Sequence, residues 1–378
     1  MSWGMILHGL FSMKGLRKNA KLRFLSPRMF AHCRKYFNLF SLVIVLLTVA
    51  SCKRHFNIKP DRAFYYWRSN FSLSDKDINY MENAGVRKLY LHFFDVTWNE
   101  DFSKVLPVDE VKFDFVSDNA FEYIPVIYIA NKALEKTPVD SINSLGKHIL
   151  DEVEHIATSH NLGFKEMQFD CDWTDATQKK YFSFLAFFHK ELKQKGILLS
   201  ATIRLHQVKY KEKTGVPPID RGMLMFYNMG KINDVAGYNS IYNERDANNY
   251  ASYVKSYTLP VDVALPIFGW AVCIRSGKVT GIIEKSVDKN FADTALFSHG
   301  GNSIFVARKS FFFHGKYFMK NDTVKLEQVT PDICEDAADN VSRYLKDEPR
   351  TVTLFDYDSL YLSTYDKKDL EKIFSLSN

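Results

Sequence analysis

The chain has 378 residues, with 50 Lys+Arg against 44 Asp+Glu and a formal charge of +6. Eight of the basic residues and none of the acidic ones precede Cys52, which leaves 42 basic against 44 acidic residues from there on. The basic excess therefore belongs to the N-terminal segment, and the remainder carries no electrostatic footprint for nucleic acid.

Residues 39–50 form an apolar run of 12 residues behind Arg34 and Lys35 and end in Val49-Ala50-Ser51-Cys52. A positive flank, a short apolar core and small residues at a cleavage point make a secretory leader. A bilayer-spanning helix needs about 20 residues, so a permanent anchor helix is disfavoured; a short span or a buried helix is the alternative. The ending resembles a bacterial lipoprotein signal. That resemblance implies cleavage before Cys52, lipidation of Cys52 and membrane attachment in the bacterial cell envelope, on its periplasmic or outer face. Met29 is a good alternative start. Residues 1–28 thus read as a start-site artefact or disordered extension, 29–51 as the signal peptide and 52–60 as a tether. Positions 61–378 read as a single domain with ample length to bury a core.

From position 63 the chain alternates short apolar runs with amphipathic segments. Strands are predicted at 63–67, 88–94, 123–129, 166–171, 198–205, 223–227, 261–268 and 351–355, each rich in β-branched and aromatic residues and bounded by polar or Gly-containing breaks. Helices are predicted at 74–84 (Ser74 as N-cap, Gly85 as stop), 144–160, 176–194 (Asp175 as N-cap), 248–256, 331–345 and 367–374. Eight strands separated mainly by helices suggest an α/β fold, the (β/α)8 TIM barrel. An open doubly wound sheet is the alternative, but no Gly-rich phosphate loop follows the first strand. Residues 275–329 are too long for a simple connection. Within them 310–317 and 323–328 flank Lys320-Asn321-Asp322 and are expected to form a β-hairpin inserted between the seventh and eighth strands, with His314-Gly315-Lys316 structural.

In such a barrel the reactive groups sit where strands end. The fourth strand ends in Gln168-Phe169-Asp170-Cys171-Asp172-Trp173. Alternation puts Gln168, Asp170 and Asp172 on one side, and two close carboxylates beside a tryptophan push one pKa up, as acid–base chemistry requires. A solvated strand end is the bland alternative. The other ends offer Trp67; His92, Asp95 and Trp98; Tyr128 and Asn131; Arg204 and His206; Tyr227 and Asn228; Trp270; Asp356 and Asp358. Singly each is weak, and a lone His92 or His206 is more often structural. Together they suit a carbohydrate, with rings against sugar faces and polar groups on hydroxyls. The five cysteines form no CxxC pair and have no zinc-site spacing, and no P-loop, HExxH or G-x-S-x-G occurs. No metal and no cofactor are expected, and nothing sets an oligomeric state.

Asp170-Cys171-Asp172-Trp173 resembles the fourth-strand end of chitinase-like family eighteen glycoside hydrolases, whose motif is D-x-x-D-x-D-x-E. Here Met167 stands for the first Asp and Thr174 for the Glu that is the general acid. Trp67, Gln168-Phe169-Asp170-Cys171-Asp172 and Ala264-Leu265-Pro266-Ile267-Phe268-Gly269-Trp270 resemble more closely a poorly characterised bacterial family of glycosidase-like barrels, a domain of unknown function. These resemblances imply a membrane-anchored carbohydrate-active protein acting as a glycoside hydrolase. Asp170, Asp172 and Asp356 would be the catalytic carboxylates, and Trp67, Asp95, Tyr128, Arg204, His206, Tyr227, Asn228 and Trp270 would bind substrate. The alternative is a non-catalytic glycan-binding lipoprotein on a degenerate barrel, which the Thr at 174 favours.

Overall fold

The computed structural model describes residues 58–114, 120–234, 238–301 and 303–376. The leader, Cys52 and the first part of the tether lie outside the described residues.

Eight parallel strands close on themselves. They are Asp61–Tyr66, Lys88–Asn99, Glu122–Ile129, Glu166–Asp170, Leu198–Arg204, Arg221–Met225, Val261–Pro266 and Thr351–Phe355, hereafter the first to eighth strands. Each pairs in parallel with its neighbours, and the first strand meets both the second (Ala63 opposite Lys88) and the eighth (Asp61 opposite Thr351). The barrel expected from the pattern is therefore present, and the open sheet is excluded.

The pleat sorts side chains by parity. Glu166, Gln168 and Asp170 of the fourth strand and Ser200 and Thr202 of the fifth point into the barrel. There they make a hydrogen-bonded column: Gln168 Nε2 donates to Ser200 Oγ (3.1 Å) and Ser200 Oγ donates to Glu166 (2.5 Å). Tyr65 reaches across the barrel to donate to Gln168. The opposite parity faces the helices. Phe169 meets Phe184 and Phe188 of helix Gln178–Gln194 at ring separations of 4.9 and 4.6 Å.

Helices form largely where periodicity and caps put them. Asp75–Asn83 begins with a reciprocal capping box between Ser74 and Asp77, and the chain leaves it through Gly85 at φ +73°. Ile142–Ser159, Pro331–Ser342 and Lys367–Ser375 match expectation within a few residues. Two details differ. Asp175 is not the N-cap of the helix after the fourth strand: that helix starts at Gln178 with Thr177 as cap, and Asp175 pairs with Lys213 at 2.8 Å. The expected helix 248–256 is instead a short α-helix, Glu244–Asn248, followed by a 3-10 segment, Ala251–Ser256.

The insertion between the seventh and eighth strands is larger than one hairpin. It begins at Gly269 and builds a five-stranded sheet in the order Lys278–Glu284, Gly269–Arg275, Thr323–Gln328, Ile304–Ala307 and Phe297–Gly301. Residues 323–328 do not pair with 310–317, because they run antiparallel to Gly269–Arg275 and Ile304–Ala307. The hairpin that does form joins Phe311–Phe313 to Lys316–Phe318, with His314-Gly315 as its turn. The insertion has an apolar core of its own around Phe291, Phe297, Phe305 and Phe318. No helix among the described residues is long and apolar enough to cross a membrane.

Candidate functional site

The C-terminal ends of the strands open into a cleft of about 490 Å³. Trp67, Asp95, Tyr128, Asp170, Asp172, Arg204, Tyr227, Asn228, Trp270 and Asp356 all line it, so the fold gathers side chains spread over almost 290 positions of sequence. His206 is the exception. It lines an adjoining groove of about 1030 Å³ that shares Asp172, Arg204, Tyr227 and Asn228 with the cleft.

Arg204, the last residue of the fifth strand, organises the floor. Its Nε and Nη2 both donate to Asp172, the latter at 3.2 Å, and Nη2 lies 3.8 Å from Asp170 Oδ1. Burial works against the guanidinium charge, but Asp170 and Asp172 outweigh it and hold the Arg204 pKa above its ordinary value. Asp170 is buried and accepts from Thr202 Oγ1 at 2.6 Å. Burial pushes its pKa up, against the pull of Arg204 and Thr202, and Asp172 and Asp95 add to the rise. Asp172 lies past the end of the strand with its carboxylate half exposed. Its loop is held from below: Asn131 at the head of the third strand's helix donates to the Asp172 carbonyl and accepts from Thr177 Oγ1 (2.7 Å).

The second strand reaches the cleft by an irregularity. The register with the third strand slips between His92 and Phe94, a bulge that makes Phe93 the extra residue. The slip resets the parity, so residues three apart face the same way, and His92 Nε2 sits 2.7 Å from Asp95 Oδ1. Trp67 packs over the His92 ring at 4.8 Å. Asn228 holds φ +54° while its N–H donates to the Ile241 carbonyl (2.7 Å), a conformation that Asn tolerates better than most residues.

Asp356 follows the eighth strand. Burial pushes its carboxyl up to about 6; Lys285 and Arg68 pull it down and Asp358 pushes it up. Asp358 itself is structural. It caps Ser359–Leu362 and pairs with Arg68 (2.9 Å) and Lys285 (3.1 Å).

Several residues next to the candidate constellation lie outside the cleft. Trp173 is buried, stacks on Tyr181 and donates to the Thr214 carbonyl at 3.0 Å. Trp98 donates to Glu100 on an antiparallel extension of the second strand. Cys171 is buried, and burial with the two aspartates raises its pKa well above the ordinary value. Thr174 is exposed and lines the adjoining groove, its N–H donating to Thr177 Oγ1. Burial lowers the His206 pKa, with Asp172 and Arg204 acting in opposite directions. Among the described residues no group of three or more His, Cys, Asp and Glu could hold a metal ion.

Other site residues were missed. Glu284 and Lys285 come from the insertion, Phe355 and Tyr361 from the end of the chain. Glu327 lies behind the cleft. It is buried, accepts from Trp270 Nε1 at 2.8 Å and from Ser240, and pairs with Lys325 at 2.8 Å. This network fixes the angle of a cleft tryptophan from the insertion sheet. The alternation in Lys325-Leu326-Glu327 was the one available signal.

No family model matches the chain, and no curated protein sequence matches it. Similar solved structures include a chitinase from Chromobacterium violaceum, 12% identical, aligned over 84% of this chain and 98% of that one with a TM-score of 0.52. Another is the spore cortex-lytic enzyme SleL of Bacillus megaterium, 12% identical over 84% of this chain and 75% of that one, TM-score 0.53.

The titration of Asp356 gives a stability test. Its folded pKa is raised above the unfolded value near 3.8, so its contribution is fully present below about pH 4 and is lost as pH rises through about 6. Asp356→Asn is expected to remove that loss. Relative to wild type the variant should gain stability between pH 4 and pH 8 by at most on the order of 3 kcal/mol. Urea unfolding at the two pH values checks this; identical pH dependence in both proteins contradicts it. The likeness to both solved structures is one of fold: the chain shares their α/β barrel.

Proposed function

We propose that the cleft binds a carbohydrate and acts on it as a glycoside hydrolase. The observation that carries this is the union, at one barrel mouth, of aromatic walls (Trp67, Tyr128, Tyr227, Trp270) with four strand-end carboxyl groups (Asp95, Asp170, Asp172, Asp356) and a guanidinium. Flat rings suit the C–H faces of a sugar, and a few fixed polar groups in an otherwise apolar cleft set its orientation. The shared barrel of a chitinase and a spore cortex-lytic enzyme supports the reading, as does the resemblance of the Q-x-D-x-D strand end to glycosidase-like barrels.

The roles follow from charge. Asp356, with its carboxyl near pH 6, is protonated in mild acid and can give a proton to the leaving glycosidic oxygen. Asp170 and Asp172, tied to Arg204, face the positive charge that grows at the anomeric carbon. Glycosidic-bond cleavage then adds water across the C–O bond, with a carboxylate taking the proton of that water. Wild type screened on a glycan panel should turn over one of its members, with an alkaline limb near pH 6 that Asp356→Asn abolishes. Asp172→Asn should cut turnover by about 10²-fold or more with the fold intact. Full activity in both variants contradicts the assignment.

One observation favours a second reading, in which the barrel binds a glycan without cleaving it. Thr174 stands where the chitinase-like motif has its acid, and it is outside the cleft. Under that reading the panel yields binding weakened by Asp172→Asn and no turnover in wild type. Neither binding nor turnover would sink both.

The resemblance of Val49-Ala50-Ser51-Cys52 to a lipoprotein signal supports a cell-envelope location through Cys52. Cys52→Ala should abolish incorporation of a labelled fatty-acid analogue; equal labelling of variant and wild type contradicts it. A single acyl chain gives only marginal membrane affinity, so stable attachment requires more than one chain.

A further inference from the structure

The insertion presents a face that neither the cleft nor the insertion core uses. In the hairpin Phe311–Phe313/Lys316–Phe318, Phe311 pairs with Phe318 and Phe312 with Tyr317. Phe311, Phe313 and Phe318 pack inward on Phe297, at 5.2–5.8 Å between ring centroids. Alternation turns Phe312 and Tyr317 to the other side. Their rings lie 4.9 Å apart, 78% of Phe312 and 50% of Tyr317 are exposed, and Met319 extends the strip with 46% exposed. Apolar strips of this kind on a surface mark binding sites. The segment that carries it is basic. Lys309 and Lys320, which flank the hairpin, are exposed, and no acidic residue occurs from Arg308 to Asn321; Lys316 pairs with Phe313 and reaches toward Gly281 on the inward side.

The position of the hairpin relative to the cleft is set by one strand. Gly269–Arg275 starts at the cleft with Trp270, and Arg275 at its far end donates to the Tyr317 carbonyl (2.9 Å) and pairs with Asp322 (2.7 Å). Five residues at about 3.4 Å each put the hairpin about 17 Å from Trp270, a span that a polymer covers and a small sugar does not.

We infer that this hairpin is a second binding surface, for the chain of an anionic polysaccharide. The two rings take sugar faces, and the lysines meet the carboxylates. A lipid surface fits less well. Interfacial anchors bury apolar groups in the headgroup region, whereas the turn of this hairpin is His314-Gly315 and its exposed rings lie in the strands. The inference rests on the carbohydrate reading of the cleft, and the test separates the two.

The probe is polygalacturonate cast in a native gel, with hydroxyethyl cellulose as the neutral control and phosphatidylglycerol vesicles in a sedimentation assay as the lipid arm. Wild type should be retarded by polygalacturonate, and salt should weaken the effect. Phe312→Ala/Tyr317→Ala should weaken it about tenfold or more, as should Lys309→Gln/Lys320→Gln, with unchanged melting midpoints. Trp270→Ala in the cleft should remain retarded. Retardation lost only in Trp270→Ala overturns the hairpin surface and leaves the cleft reading standing. Retardation lost in the hairpin variants, with no cleft ligand on the glycan panel, supports the surface while the cleft reading fails. No retardation of wild type, equal retardation by the neutral polymer, or binding to the vesicles instead each overturns the inference.

Discussion

Burying a carboxylate in a barrel costs several kcal/mol unless a cation or a donor meets it. At the floor of this cleft Arg204 meets two. It shares Asp170, which is inside the barrel, and Asp172, which is past the strand end, while Thr202 supplies the remaining donor to Asp170. Removing the guanidinium would leave Asp170 as an uncompensated buried charge and release Asp172 from its place at the mouth. The rest of the site is arranged around this constraint. Asn131 and Thr177 hold the loop that carries Asp172, and Gln207 accepts from the Arg204 N–H at 2.8 Å, which fixes the turn from which the guanidinium projects.

Asp356 approaches the same space from the end of the eighth strand, and burial dominates there as it does at Asp170. It has Lys285 and Arg68 in its vicinity but is dominated by burial, and its carboxyl rises to about 6. Burial thus raises the carboxyl groups of both Asp170 and Asp356 at one mouth, opposed by Arg204 and Thr202 at the first and by Lys285 and Arg68 at the second. The insertion contributes to both sides: Lys285 near Asp356, and Trp270 held at its angle by the buried Glu327–Lys325 pair. It is therefore part of the cleft wall as well as a separate apolar core.

The barrel was legible because all eight strands are short apolar runs with turn signals on either side, and parallel strands buried on both faces leave that mark. Once the strands are placed, the topology puts each strand end on one rim, and the ten cleft residues follow. What was hidden depends on contacts that have no local period. The bulge at Phe93 changes which residues of the second strand face inward, so Asp95 joined the site as expected while Trp98 did not. Trp173 looked like part of the aspartate constellation, yet the chain leaves the strand after Asp170 and the indole turns into the helix layer. The insertion was read as a hairpin because its strands are three to seven residues long and pair out of sequence order, which local pattern does not reveal. Glu327 is 57 positions from the tryptophan it holds, a pairing that only the sheet shows.

The central claim is that Arg204 opposes the rise that burial imposes on Asp170 and so sets the electrostatics of the site. The direct measurement is a carboxyl-carbon NMR titration of aspartate-labelled protein, wild type against Arg204→Gln. Arg204 lowers the Asp170 pKa in the face of burial, so the account predicts that the Asp170 midpoint moves to higher pH in the variant. An Asp170 midpoint that is the same in both proteins would contradict it.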